Sequence, residues 1–149
     1  HVLYNEKSDI EVVLHEVSHA LLRKNFEHPP RWFNEGLAEF LESLETKDGR
    51  IQVYTNHAHI NLCRQLVSDK EVNLSRFFST ERAYWQDKRQ QQYMYAVSYG
   101  IVYMLIKKDP KLINQSLKML KEGKDEKVLF TELFGSFRNF ESHFRFFYR

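Results

Sequence analysis

Pro29 and Pro30 place the tightest constraint on how this chain can fold, because neither can continue a helix and both flanking segments read as helices. Before them, Ile10, Val13, Leu14, Val17 and Leu21 recur at intervals of three and four, the spacing of an α-helix. Ser8, followed three residues later by Glu11, has the form of a capping box and predicts a helix start near Asp9. Good helix formers carry that helix to about Lys24. Beyond the prolines, a second helix is predicted from about Asn34 through "EGLAEFLESLE", stopped by "KDG" at 47–49. The two helices therefore meet across a sharp chain reversal.

The remainder reads as mostly helical with a little sheet, an α+β domain spanning residues 1–149. "HVLY" is expected to form a short strand, and "RIQVY" at 50–54 another. A helix is predicted over 56–67, and "NLSRFF" gives a short helical turn. "ERAYWQDKRQQQ" is so polar that a mobile loop is expected. "YMYAVSYGIVYMLIKK" is apolar enough for a buried helix, ended by Asp109-Pro110, and "KLINQSLKMLKEG" is amphipathic with Gly123 as its stop. Phe137, Phe140, Phe144 and Phe147 mark one face of a last helix. No apolar run approaches the ~18–20 residues needed to cross a bilayer, so no membrane span is expected. A net charge of +2 is too small for a nucleic-acid surface. The single cysteine, Cys63, excludes an internal disulfide and reads as a small buried hydrophobe. The chain does not begin with Met, and it is expected to be part of a longer protein with an N-terminal or neighbouring domain missing here.

Chemistry enters with His15, Glu16 and His19. Residues four apart on a helix share a face with Cβ atoms about 5–6 Å apart. Two imidazoles so placed can reach one cation at about 2.0–2.1 Å. Glu16 is rotated about 100° from His15, which takes it off the ion but within reach of a water beside it. Such an ion acidifies the water and the carboxylate takes its proton. The competing reading is three ordinary polar residues, but the motif lies within a capped, periodic helix rather than a loop. A catalytic ion also needs a third ligand from another element. "PPRWFNEGLAEF" supplies one by reversing the chain and opening the next helix with Glu35.

"HEVSH" followed by "WFNEGLAEF" resembles the gluzincin metallopeptidases, most nearly the bacterial peptidase MA-like families with their W-x-x-E-G-x-A-E-[YF] pattern. The resemblance implies a zincin-like fold with a small or truncated N-terminal β element, one bound Zn2+ and a peptide or protein substrate. It implies His15, His19 and Glu35 as ligands, Glu16 as general base, and Glu39 as the carboxylate receiving the second N–H of a ligand histidine. "YAVSYGIVYML" is similar to the gluzincin helix whose leading tyrosine donates to the oxyanion, which puts that role on Tyr95, with Tyr93 and Tyr99 as competitors. "LFTELFGSFRNFESHFRFF" resembles the closing helix of these domains. Relatives of this kind are commonly exported from bacteria, so a secreted or periplasmic setting is implied.

The Gly-x-Met-Glu-Asn segment by which the aminopeptidase branch grips a free amino group has no counterpart here, so an endopeptidase is expected. A second reading, a catalytically silent zincin-like domain kept for binding or structure, predicts that stripping the metal unfolds the chain. A third is a fragment whose substrate-aligning strand lies elsewhere. Glu42, Glu45, His57 and His59 are expected to face solvent. Arg31, Arg82 and Arg89 are equal candidates to contact substrate.

Overall fold

The computed structural model describes residues 9–80 and 82–149. The "HVLY" strand and the Ser8 cap lie outside them. Helix α1 (Asp9–Asn25) carries Asp9 and Glu11 in its first turn and Arg23 and Lys24 in its last, both matched to the helix dipole. It is followed by α2 (Arg31–Glu42), α3 (His57–Ser68), the short α4 (Leu74–Phe78) and α5 (Arg82–Gln86), the long α6 (Lys88–Lys108), then α7 (Lys111–Lys121), α8 (Glu126–Phe134) and α9 (Phe137–Phe147). A two-stranded antiparallel sheet, β1 (Leu44–Lys47) and β2 (Arg50–Val53), sits between α2 and α3. The fold is thus mostly helical with a minor sheet.

Three of the differences from the sequence reading lie before the middle of α6, each with a local cause. Helix α2 starts at Arg31 rather than Asn34, because Pro30 at its N-cap position has the φ of −54° that leads into a helix. It also stops sooner, at Glu42, where the Ser43 hydroxyl donates to the Phe40 carbonyl at 2.6 Å. The residues expected to extend it form β1 instead. Asp48 and Gly49 both have positive φ, 51° and 71°, the geometry of a two-residue hairpin turn, and pair Lys47 with Arg50 and Leu44 with Val53. Third, the polar stretch read as a mobile loop contains α5 and the first turn of α6, separated by Asp87, whose side chain caps α6 by accepting from the Arg89 N–H. Trp85 explains the order: it is buried, and a buried indole fixes its backbone.

Helix α6 is the spine. It packs against α2, α3, α5, α7 and α9, and from Ala96 to Val102 every residue is buried. Helix α2 lies between α6 and α1. Its contact with α6 is close because Gly36 has no side chain: a Cβ there would fall 2.4 Å from the Ser98 carbonyl oxygen. At the far end, Phe130 and Phe140 stack with ring centroids 3.7 Å apart, joining α8 to α9. Gly135, at a φ of 82°, breaks what the sequence suggested was one closing helix. The Tyr148 hydroxyl reaches back to donate to the Gly100 carbonyl at 2.6 Å. Cys63 is fully buried beneath α6, and burial pushes its thiol up to about 12. No helix among the described residues is long and apolar enough to cross a membrane.

Helix α1 turns its polar face inward. Ser18 and Leu22 are buried and His15 and His19 half-buried, while Ile10, Val13, Val17 and Leu21 of the expected apolar face are exposed. Besides Ser18 and Leu22, this helix turns the imidazole pair inward.

Candidate metal centre

The facing surfaces of α1 and α2 bring His15, His19 and Glu35 together, with a ligand atom of each within 4.8 Å of the others. The Nε2 atoms of His15 and His19 lie 3.6 Å and 3.5 Å from the same Glu35 oxygen, Oε2. Two donors each about 2.0–2.1 Å from a tetrahedral ion are separated by about 3.3 Å, so the observed spacing is close to what such an ion needs. Glu35 Oε2 is buried and accepts no hydrogen bond. A buried carboxylate oxygen without a partner is costly, and a cation removes that cost. The donor set, two imidazoles and a carboxylate, suits zinc.

The far nitrogens show how the rings are aimed. His19 Nδ1 donates to Asn34 Oδ1 at 2.9 Å, and His15 Nδ1 donates to Glu42 Oε1. With both Nδ1 atoms engaged, both Nε2 atoms point at Glu35. Glu39, expected to hold a ligand ring, stands 3.9 Å from His15 Nδ1, beyond hydrogen-bond distance, and its other oxygen accepts from His59 Nε2 at 2.8 Å. The carboxylate on His15 is therefore Glu42, not Glu39. That corrects two expectations at once, since Glu42 is buried rather than solvent-facing. It corrects a third for His59, which is half-buried and ties α3 to α2, while Glu45 and His57 are exposed as expected. Glu35, Glu39 and Glu42 follow one another at four and three residues, a stripe along one face of α2; that period, read along the acidic run, was the available signal for Glu42. Asn34 had only its place beside Glu35 to announce it.

The cluster is strongly negative, and His15 reports it. The facing carboxylates of Glu35 and then Glu42 push its pKa from 6.5 up to about 10, against the effect of burial. Without a metal, His15 therefore carries a proton at neutral pH and supplies the positive charge the cluster calls for. Glu16 lies on the exposed side of α1, clear of the three facing atoms.

Of Tyr93, Tyr95 and Tyr99, it is Tyr95 that feels Glu35: burial first, then the Glu35 charge, raises its pKa, while Gln91 and Arg31 pull it down. Tyr99 is occupied elsewhere, its oxygen accepting from the Asn56 N–H at 3.0 Å, and Tyr93 lines a different cleft with Leu66, Arg76 and Tyr84. Arg31, at the first position of α2, also borders the centre, whereas Arg82 and Arg89 are exposed on α5 and α6.

Replacing Glu42 tests the revised assignment. Glu42→Gln should weaken zinc binding at least about tenfold and Glu42→Ala up to about a hundredfold, while Glu39→Gln changes it less. Competition against a chromophoric chelator measures all three; a larger loss from Glu39→Gln than from Glu42→Gln would restore the original assignment.

Fold and site together define a mostly helical α+β domain with a two-histidine, one-carboxylate cluster between its first two helices. Residues 9–125 match the family described as a protein of unknown function, DUF1570, and the chain belongs to that family. No curated protein and no solved structure matches the chain.

Proposed function

We propose that this chain is a zinc-dependent metallopeptidase of the gluzincin kind, with a zincin-like arrangement of α1 and α2, that hydrolyses internal peptide bonds of peptide or protein substrates. The observation that carries this reading is the convergence of His15 Nε2, His19 Nε2 and the unpartnered Glu35 Oε2, with both rings locked from behind by Glu42 and Asn34.

When bound, a zinc ion supplies Lewis-acid polarisation of the scissile carbonyl and makes a water acidic near neutral pH. The chain's own groups do the rest. His15, His19 and Glu35 would hold the ion and leave a position open to substrate. Glu16 accepts the proton of the attacking water and later delivers it to the leaving amine. Tyr95 donates its hydroxyl to the carbonyl oxygen as negative charge grows there. Its raised pKa suits that work, because the phenol stays protonated and able to donate at neutral pH.

Metal analysis of the purified chain, with and without His19→Ala, tests the reading. The parent should carry about one zinc per chain and the variant less than about a tenth of that. Loading the metal-free parent at pH 7 should release about one proton, because His15 must surrender the one it holds. Stripping the metal should abolish cleavage of labelled casein while circular dichroism stays helical. Zinc content unaffected by His19→Ala, or a chain that unfolds when stripped, counts against the proposal, the second outcome in favour of a structural site.

A further inference from the structure

Arg31 occupies an odd place for a site that binds a cation. Its Nε is 3.9 Å from Glu35 Oε1, the carboxylate oxygen turned away from the imidazoles. A guanidinium there repels a metal ion and draws electron density from the ligand carboxylate, so a site built only to hold zinc gains nothing from it. Nor does it work as a brace. At that distance it makes no hydrogen bond to Glu35, and an ion pair whose arginine is 38% exposed contributes little.

Yet the side chain is held in place. Its guanidinium carbon lies 5.1 Å from the ring centroid of Trp85, which is itself buried, and Trp85 meets Tyr95 edge-on at 6.0 Å. Stacking occupies one flat side of the guanidinium and leaves its edge donors available. Tyr95 is next in this chain of contacts, on the same indole that carries Arg31. A charged donor then stands beside Glu35 without a close hydrogen bond to it.

We propose that Arg31, held by Trp85 at the margin of the Glu35 carboxylate, is a hydrogen-bond donor to the scissile carbonyl oxygen alongside Tyr95 and so a further catalytic residue. This rests on the peptidase reading above. It explains why a positive charge is kept beside a metal ligand: the charge acts on the substrate as its carbonyl becomes negative, when it is most useful, and costs some metal affinity at rest.

The test uses Arg31→Gln in the zinc-loaded chain, with Arg82→Gln as a control on an exposed arginine. With labelled casein, Arg31→Gln should lower kcat about a hundredfold with KM changed less than about threefold, while Arg82→Gln matches the parent. Calorimetric binding of a dipeptide phosphinate, which mimics the charged oxygens of the reacting carbonyl, should weaken by about the same hundredfold. Zinc affinity should stay level or tighten. Arg31→Lys should recover only part of the rate, since lysine keeps the charge but loses the flat stack and the fork of donors.

Zinc affinity falling tenfold would make Arg31 a brace on Glu35 and overturn the proposal. A loss confined to KM would make it a recognition group for an acidic substrate, and an unchanged kcat would leave it no part in the reaction; either result also overturns it. A parent chain that loads zinc but neither cleaves casein nor binds the phosphinate fails the peptidase reading, and this proposal falls with it. A parent that does both, with Arg31→Gln its equal, sinks only the role of Arg31.

Discussion

Glu16→Gln should load zinc as tightly as the parent and cleave labelled casein about a thousandfold more slowly, or worse. Glutamine matches glutamate in size and keeps the helix, so neither α1 nor its contact with α2 should shift. The position is exposed and clear of the three facing atoms, which is why metal binding is spared. What the amide cannot do is take a proton from water. The measurement is a pair of numbers on one preparation, zinc per chain and turnover. Parental turnover with zinc intact would remove Glu16 from the reaction.

The second large effect is on stability. Gly36→Ala should destabilise the fold by about 3 kcal/mol, at the upper end of the usual range for overpacking. On propensity alone, alanine in a helix is better than glycine by up to about 1 kcal/mol. The surroundings reverse the sign. The new Cβ would meet the Ser98 carbonyl oxygen at 2.4 Å and its carbon at 2.7 Å, and backbone within helix α6 cannot move aside as a side-chain tip can. Thermal unfolding should show a midpoint lower by about 6–12 °C for a chain of this size. Zinc should bind more weakly as well, because the shift needed to relieve the clash carries Glu35 with it. An alanine variant as stable as the parent would mean that α2 and α6 are further apart than described.

The meeting of His15, His19 and Glu35 could be read from the sequence because its parts are local. His15 and His19 are one helical turn apart, Glu35 follows one chain reversal later, and helical periodicity together with Pro29 and Pro30 is enough to face them toward each other. The partners behind them were harder. Glu42 was set aside because acidic residues late in a helix usually face water, and only the packing of α1 over α2 buries it. His59 comes from α3, and no spacing rule reaches from one element to another. Tyr95 is separated from its rivals by tertiary contact alone: three tyrosines on one helix are alike in sequence, but Tyr99 is used by Asn56 and Tyr93 packs against Phe77. The missed hairpin differs in kind. Asp48-Gly49 is a strong local turn signal, but it follows a longer run of glutamates and leucine whose helical preference masks the strand before it. Trp85 was lost in a polar stretch, where one large apolar side chain outweighs the charges around it.

The groups that face one another near Glu35 lie early in the chain, whereas the surface against which α2 is seated, from Ser98 to Val102 on α6, is finished only when Tyr148 bonds to the Gly100 carbonyl. On a ribosome the imidazoles would emerge long before their backing. The aim of the rings thus depends on chain made well after them, and damage at α9 should be felt at α1.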